Sequence, residues 1–179
     1  MESNTMALSA KERKQRQIER EQAQLRAMPD SSYEYLQVPF HVHLETDANW
    51  SSVTLPLEMA GIEPPEFEDD RGPKAYAYEE CFSTDEDRDE AFGGAAGSIG
   101  RAEIMIGLLI DAATELAHIV NKYKRAELDK RLKEIEAADL SDPEERKAVL
   151  EQVVHIEKIK GALSKNVRRS LPQWEAKGV

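Results

Sequence analysis

From Met105 to Ala126 the chain places Met105, Leu109, Ala112, Leu116, Ile119, Tyr123 and Ala126 at alternating steps of four and three residues. That spacing follows one face of a helix with about 3.6 residues per turn, and no strand reproduces it. No proline occurs between Pro73 and Pro143, so nothing forces a break. The apolar face continues through Leu128, Leu132 and Ile135. The pattern predicts one amphipathic helix over about 100–138, roughly 57 Å long at 1.5 Å per residue.

The next stretch, "LSDPEE", reads as the end of that helix and the start of another. Ser141 stands as N-cap, Pro143 lies in the first turn, and Glu144 sits three residues after the cap. Val149, Val153, Ile156, Leu163 and Val167 then mark a second helix that ends before Pro172. Two amphipathic helices joined by a short turn make an antiparallel helical hairpin. A lone hairpin leaves apolar surface uncovered, so the first half of the chain, another subunit or a partner must cover it.

The first half is less regular. Ser9 and Glu12 have capping-box spacing, and "AKERKQRQIEREQAQLRAM" holds strong helix formers with no Gly or Pro before Pro29. Its apolar residues, Ile18, Leu25 and Met28, form only a narrow stripe. Such a helix is an exposed arm, docks on a partner, or lies solvated along the body. Prolines at 29, 39, 56, 64, 65 and 73 then exclude any long helix. "YEYLQVPFHVHLE" alternates enough for a short extended segment, with a small helix as the alternative. "SSVTLPLEMA" reads as a short helix over about 51–60, ended by Gly61 and Pro64-Pro65. Residues 66–90 read as an acidic linker with scattered aromatics. The fold class is therefore mostly α. It comprises a basic N-terminal helix or arm (1–28), a proline-rich, acidic, partly irregular segment (29–92), and a glycine hinge with the helical hairpin (93–179).

The net charge of −11 is concentrated in the middle. Between Glu45 and Phe92, 15 acidic residues face Arg71, Lys74 and Arg88, giving −12. The window from Lys11 to Arg26 carries six basic and three acidic residues, +3, and that from Asp142 to Val179 eight and six, +2. Such a field turns DNA away from the middle of the chain and attracts basic protein surfaces to it.

Four glycines in "AFGGAAGSIG" raise the possibility of a phosphate loop. A Walker-type loop needs Gly, four residues, then Gly-Lys-Ser or Gly-Lys-Thr. Ala95 stands where the first glycine belongs, and Arg101 and Ala102 follow Gly100. The dinucleotide pattern also lacks its first glycine, and the preceding "DEDRDEAF" repels phosphate. A flexible glycine hinge followed by close packing at Gly100 and Gly107 is the better reading.

"DEDRDEAFGGAA" imitates a calcium loop at Asp85, Asp87 and Asp89, but Glu90 and Ala96 occupy the positions of the required Gly and Glu. His41, His43 and Glu45 share one face if "HVHLE" is a strand, an incomplete metal set. Cys81 stands alone in an acidic setting that does not favour a thiolate. No serine occupies a nucleophile elbow. No catalytic or cofactor-binding residue is assigned, and the chain is expected to be neither an enzyme nor a cofactor protein.

The N-terminal helix offers Lys11, Arg13, Lys14, Arg16 and Arg20 as contacts for nucleic-acid phosphates, diluted by Glu12, Glu19 and Glu21. Arg168, Arg169 and Lys177 beside Trp174 form a small basic tail. The lone cysteine, the absence of a signal-like start and a longest apolar run of seven residues, Ile104–Ile110, together predict a soluble intracellular protein with no membrane span.

Four stretches carry a resemblance: "LSAKERKQRQIEREQAQLRAMPDSSY" (8–33), "AGIEPPEFEDDRGP" (60–73), "GSIGRAEIM" (97–105) and "VRRSLPQW" (167–174). They resemble an uncharacterised family of proteins encoded by tailed bacteriophages and prophages. The resemblance spans most of the chain and transfers no functional residue. It implies a phage-derived protein acting in the bacterial cytoplasm. The leading expectation is a non-enzymatic interaction protein that binds a host or phage protein with a basic surface, with self-association through the hairpin. The alternative is a nucleic-acid-binding regulator using the basic helix.

Overall fold

A computed structural model describes residues 9–138 and 142–178. These residues are mostly helical and contain no strand: α1 (Ala10–Ala27), α2 (Phe40–Leu44), α3 (Ser51–Met59), α4 (Asp85–Phe92), α5 (Gly97–Glu136) and α6 (Pro143–Leu163). Short 3₁₀ turns lie at Tyr33–Tyr35, Pro73–Ala75 and Glu79–Cys81. The described residues divide into two compact units. The first runs to Gly107 and is completed by the stretch from Gln173; the second is Leu108–Pro172. The division falls inside α5, and the tail groups with the first half of the chain.

Local chemistry explains most element boundaries. Ser9 Oγ accepts the Glu12 N–H at 3.3 Å and the Glu12 carboxylate accepts the Ser9 N–H at 2.7 Å, a complete capping box at the start of α1. Every residue of α1 whose side chain is described is exposed. Helix α3 ends in a Schellman turn: Ile62 N–H donates to Leu57 C=O and Gly61 N–H to Glu58 C=O, both at 2.9 Å, with Gly61 at φ +72°.

Three local expectations are corrected. Residues 40–44 are helical, whereas alternation favoured an extended segment; Pro39 supplies the fixed φ that suits a helix start. The acidic run "DEDRDEAF" is helix α4, because Thr84 Oγ1 accepts the Asp87 N–H at 3.0 Å and three acidic residues sit in the first turn, where the helix dipole favours them. The N-cap of α6 is Asp142, whose carboxylate accepts the N–H groups of Glu144 and Glu145 at 2.7 and 3.2 Å. Ser141 lies outside the described residues.

The first unit has a polar centre. Asp30, Ser98, Arg101 and Glu103 are its buried polar side chains, and each has a partner. Around them Phe40 and Trp50 pack edge-on against Phe67, with centroids at 5.5 and 5.8 Å. The tail is tied in by the chain near Asp30: Ser31 N–H donates to Ala176 C=O at 2.9 Å, and Ala176 N–H donates to the Asp30 carboxylate.

In the second unit α6 contacts the later part of α5. Asn121 Nδ2 donates to Leu163 C=O at 2.8 Å, Lys160 Nζ lies 2.9 Å from Asp129, and Arg131 donates to Gln152 Oε1 at 3.3 Å. Ile135 and Ile156 are the large apolar residues buried there among the described residues.

Candidate functional site

The glycine segment is a tight junction. Gly93 and Gly97 have φ of +49° and +66°, a region that a side chain resists. A Cβ on Gly94 would lie 2.4 Å from Pro29 N, and one on Gly100 would lie 2.7 Å from Ala95 C. The expected hinge is therefore corrected: backbone meets backbone here, and only glycine allows the approach. Gly107, expected to be close-packed, has open space where a Cβ would stand.

The start of α5 already holds an anion. Asp70 Oδ1 accepts the Ser98 N–H at 2.9 Å and the Ser98 hydroxyl at 2.7 Å. The buried Ser98 Oγ in turn accepts the His41 N–H at 3.1 Å. The helix N-terminus that a phosphate would seek is thus satisfied by the chain's own carboxylate. His41, Ser98 and Asp70 are the residue types of a hydrolytic triad, but the geometry differs. The serine proton goes directly to the carboxylate, the imidazole does not stand between them, and His41 Nδ1 is 3.9 Å from Asp70. The trio is a clasp joining α2, the loop at Asp70 and α5.

Hydrogen bonds from the Ser98 N–H and hydroxyl hold the Asp70 carboxyl below its ordinary range. Burial pushes Asp30 upward, but donation from Ser32 and Ala176 outweighs it and leaves that carboxyl low as well. Burial raises Glu103, although the Tyr33 hydroxyl donates to it. The signs oppose one another. Asp70 and Asp30 contribute stability above their unfolded values, about 3.9, and lose it as pH falls through the lower folded values. Glu103 contributes below its unfolded value and loses that contribution as pH rises through its folded value. Asp70→Asn is expected to cost about 1 kcal/mol at neutral pH, as the loss of a helix cap does. It should also shrink the fall in melting temperature between pH 5 and pH 2. Thermal melts across that range check it, and an acid limb as steep as wild type refutes the role given to Asp70.

The metal set does not form. Because 40–44 is helical, His41 and His43 stand about 200° apart around α2. His41 faces Asp70, whereas His43 lies 3.7 Å from Asp47. Among the described residues no cluster of three or more potential metal ligands occurs. Asp85, Asp87 and Asp89 lie along α4, where Asp85 pairs with Arg88 at 2.9 Å and Asp89 with Lys74. Cys81 is exposed.

Helix geometry splits the five basic candidates of α1. At about 100° per residue, Arg13, Arg16 and Arg20 fall within a third of the circumference, while Lys11 and Lys14 lie on the opposite side with Ile18 and Leu25. Arg13, Arg16, Gln17 and Arg20 line a shallow depression of about 380 Å³. A larger groove of about 710 Å³ in the first unit is lined by Tyr33, Leu36, Val38, Phe40 and Ile99 among others. In the tail, Lys177 lies 3.0 Å from Glu175.

The 4–3 repeat itself supplies the main surface. Leu116, Ile119 and Tyr123 are 62%, 64% and 64% exposed, and Leu109 is 41% exposed. Residues 121, 129 and 131 meet α6, and Leu128 and Leu132 lie half-buried beside the buried Ile135. Projected around α5, Leu128, Leu132 and Ile135 stand about 155° from the 109–126 stripe. The sequence reading joined two apolar stripes into one face. The signal that separates them was present: Lys130 and Lys133 fall where the 4–3 repeat would continue beyond Ala126. Arg101, Glu103, Asp30 and the exposed Asp70 were missed altogether, since no spacing marks a polar residue whose partners lie far away in the sequence.

Comparison of the chain with protein-family models, curated proteins and solved structures gives no match. Among the described residues no helix is long and apolar enough to cross a membrane.

Proposed function

We propose that the chain is a non-enzymatic interaction protein of phage or prophage origin that binds a host or phage protein in the bacterial cytoplasm. The observation that carries this reading is the exposed stripe from Leu109 to Ala126, three heptads of apolar positions on one long helix that stay open to solvent among the described residues. Contiguous apolar residues at coiled-coil spacing are what a second helix packs against. On this reading α5 and α6 form an antiparallel hairpin, supported by the opposite numerical order of the pairs Asn121–Leu163 and Arg131–Gln152. The hairpin presents the stripe on the side that α6 leaves uncovered. The segment from Glu45 to Phe92, at −12, favours a partner with a basic surface.

A second reading has its own observation. Arg13, Arg16 and Arg20 share one face of α1 and have no acidic partner among the described residues, so they could follow a phosphate backbone. One experiment weighs both: affinity capture from bacterial lysate, with and without nuclease, using the wild type, a Leu116→Asp/Ile119→Asp variant and an Arg13→Ala/Arg16→Ala/Arg20→Ala variant. The expected result is a captured protein that survives nuclease, is lost with the α5 variant and is retained with the arginine variant. Capture that vanishes with nuclease and with the arginine substitutions replaces the protein-binding reading with the nucleic-acid one.

A further inference from the structure

We infer that the exposed α5 stripe binds the same stripe of a second copy of this chain, antiparallel, about a two-fold axis near residues 117 and 118. The inference deepens the preceding reading, because it rests on the stripe being a contact surface and names its occupant. Three properties of the stripe are self-complementary in this arrangement alone.

The first is volume. Antiparallel pairing sets Leu109 against Ala126, Ala112 against Tyr123, and Leu116 against Ile119, so each small residue meets a large one. In a parallel pair every residue meets itself. Ala112 and Ala126 would then leave voids, and two Tyr123 rings would crowd one layer. The second is charge. The first half of the stripe carries Asp111 and Glu115, and the second half carries Lys122, Lys124 and Arg125. Reversing one copy lays the acidic half of each along the basic half of the other. Glu115 and Lys122 flank the seam at equivalent heptad positions, which face each other in antiparallel coiled coils, so two Glu115–Lys122 pairs form across the axis. Both residues are exposed, and neither has an ion-pair partner within its own chain among the described residues. The third is the apolar margin. Val120, 41% exposed, faces Ala113 of the second copy and widens the seam on its other side. Self-complementarity of this kind is what a two-fold interface requires, and a foreign helix would place no such constraint on this sequence.

The test is sedimentation equilibrium on the full chain, with the helical circular-dichroism signal recorded for each variant. Wild type is expected to dimerise as concentration rises, and Ile119→Asp, at a residue already exposed, to remain monomeric with its helical signal intact. Lys122→Glu alone should weaken the dimer about tenfold, because both crossing pairs become repulsive. Adding Glu115→Lys to it should restore affinity to near wild type. Rescue by Glu127→Lys instead would mean a parallel dimer and overturn the antiparallel assignment. A wild type that stays monomeric at several hundred micromolar overturns the inference. In that case, lysate capture that still depends on Leu116 and Ile119 leaves the interaction reading standing, and its loss as well removes both.

Discussion

Gly94→Ala is expected to destabilise the first unit by about 3 kcal/mol, the upper range for forcing a methyl group into a packed site. The added carbon would stand 2.4 and 2.5 Å from the N and Cα of Pro29, with Met28 C at 2.9 Å. All three are backbone atoms, and Pro29 cannot swing aside as a long side chain would. Gly107→Ala provides the opposite case. It lies inside α5 with nothing within 4 Å of the new carbon, so alanine should gain up to about 1 kcal/mol from helix propensity alone. Urea unfolding of both variants against wild type decides the matter. A near-neutral Gly94→Ala would return the glycine segment to a flexible hinge.

Removing the Arg101 guanidinium should cost a similar amount. Its central carbon lies 3.5 Å from the Tyr76 ring centroid and 4.5 Å from that of Phe67, and Nη1 donates to Glu66 C=O at 2.7 Å. At 9% exposure the cation is largely withdrawn from water, where each of these contacts counts for more than at a surface. A desolvated cation–π contact of about 2 kcal/mol and a charged hydrogen bond of about 1.5 kcal/mol give roughly 3.5 kcal/mol for Arg101→Ala. Arg101→Lys keeps the charge but loses the flat guanidinium that lies against two rings, so it should recover less than half. Chemical denaturation followed by the fluorescence of Trp50 and Trp174, both in the first unit, reads both. A lysine variant as stable as wild type would reduce the site to charge alone.

What the sequence disclosed was whatever has a period or a local signature. The 4–3 repeat located α5 within a few residues, Ser9 and Glu12 marked the start of α1, and Gly61 marked the end of α3. Capping and periodicity are short-range physics, so they are written in neighbouring residues. The centre of the first unit is different. Asp30, Ser98, Arg101 and Glu103 are polar types that ordinarily face water, and their burial depends on partners 28 to 146 positions away. No window of local sequence carries that information. The α5 stripe falls between these cases. Its position was legible, but the side that meets α6 depends on a choice between two stripes on one helix, and Leu128, Leu132 and Ile135 won it.

The clamp between Asp30, Ser31 and Ala176 has a consequence for how the protein is made. Chains leave the ribosome at about 5–20 residues per second, and domains ordinarily fold in the order of their appearance. Here the first unit has to wait: the residues from Gln173 that complete it are translated after the whole of Leu108–Pro172. The unit that begins first finishes last. A premature stop after residue 172 would spare every residue of the second unit and damage the first.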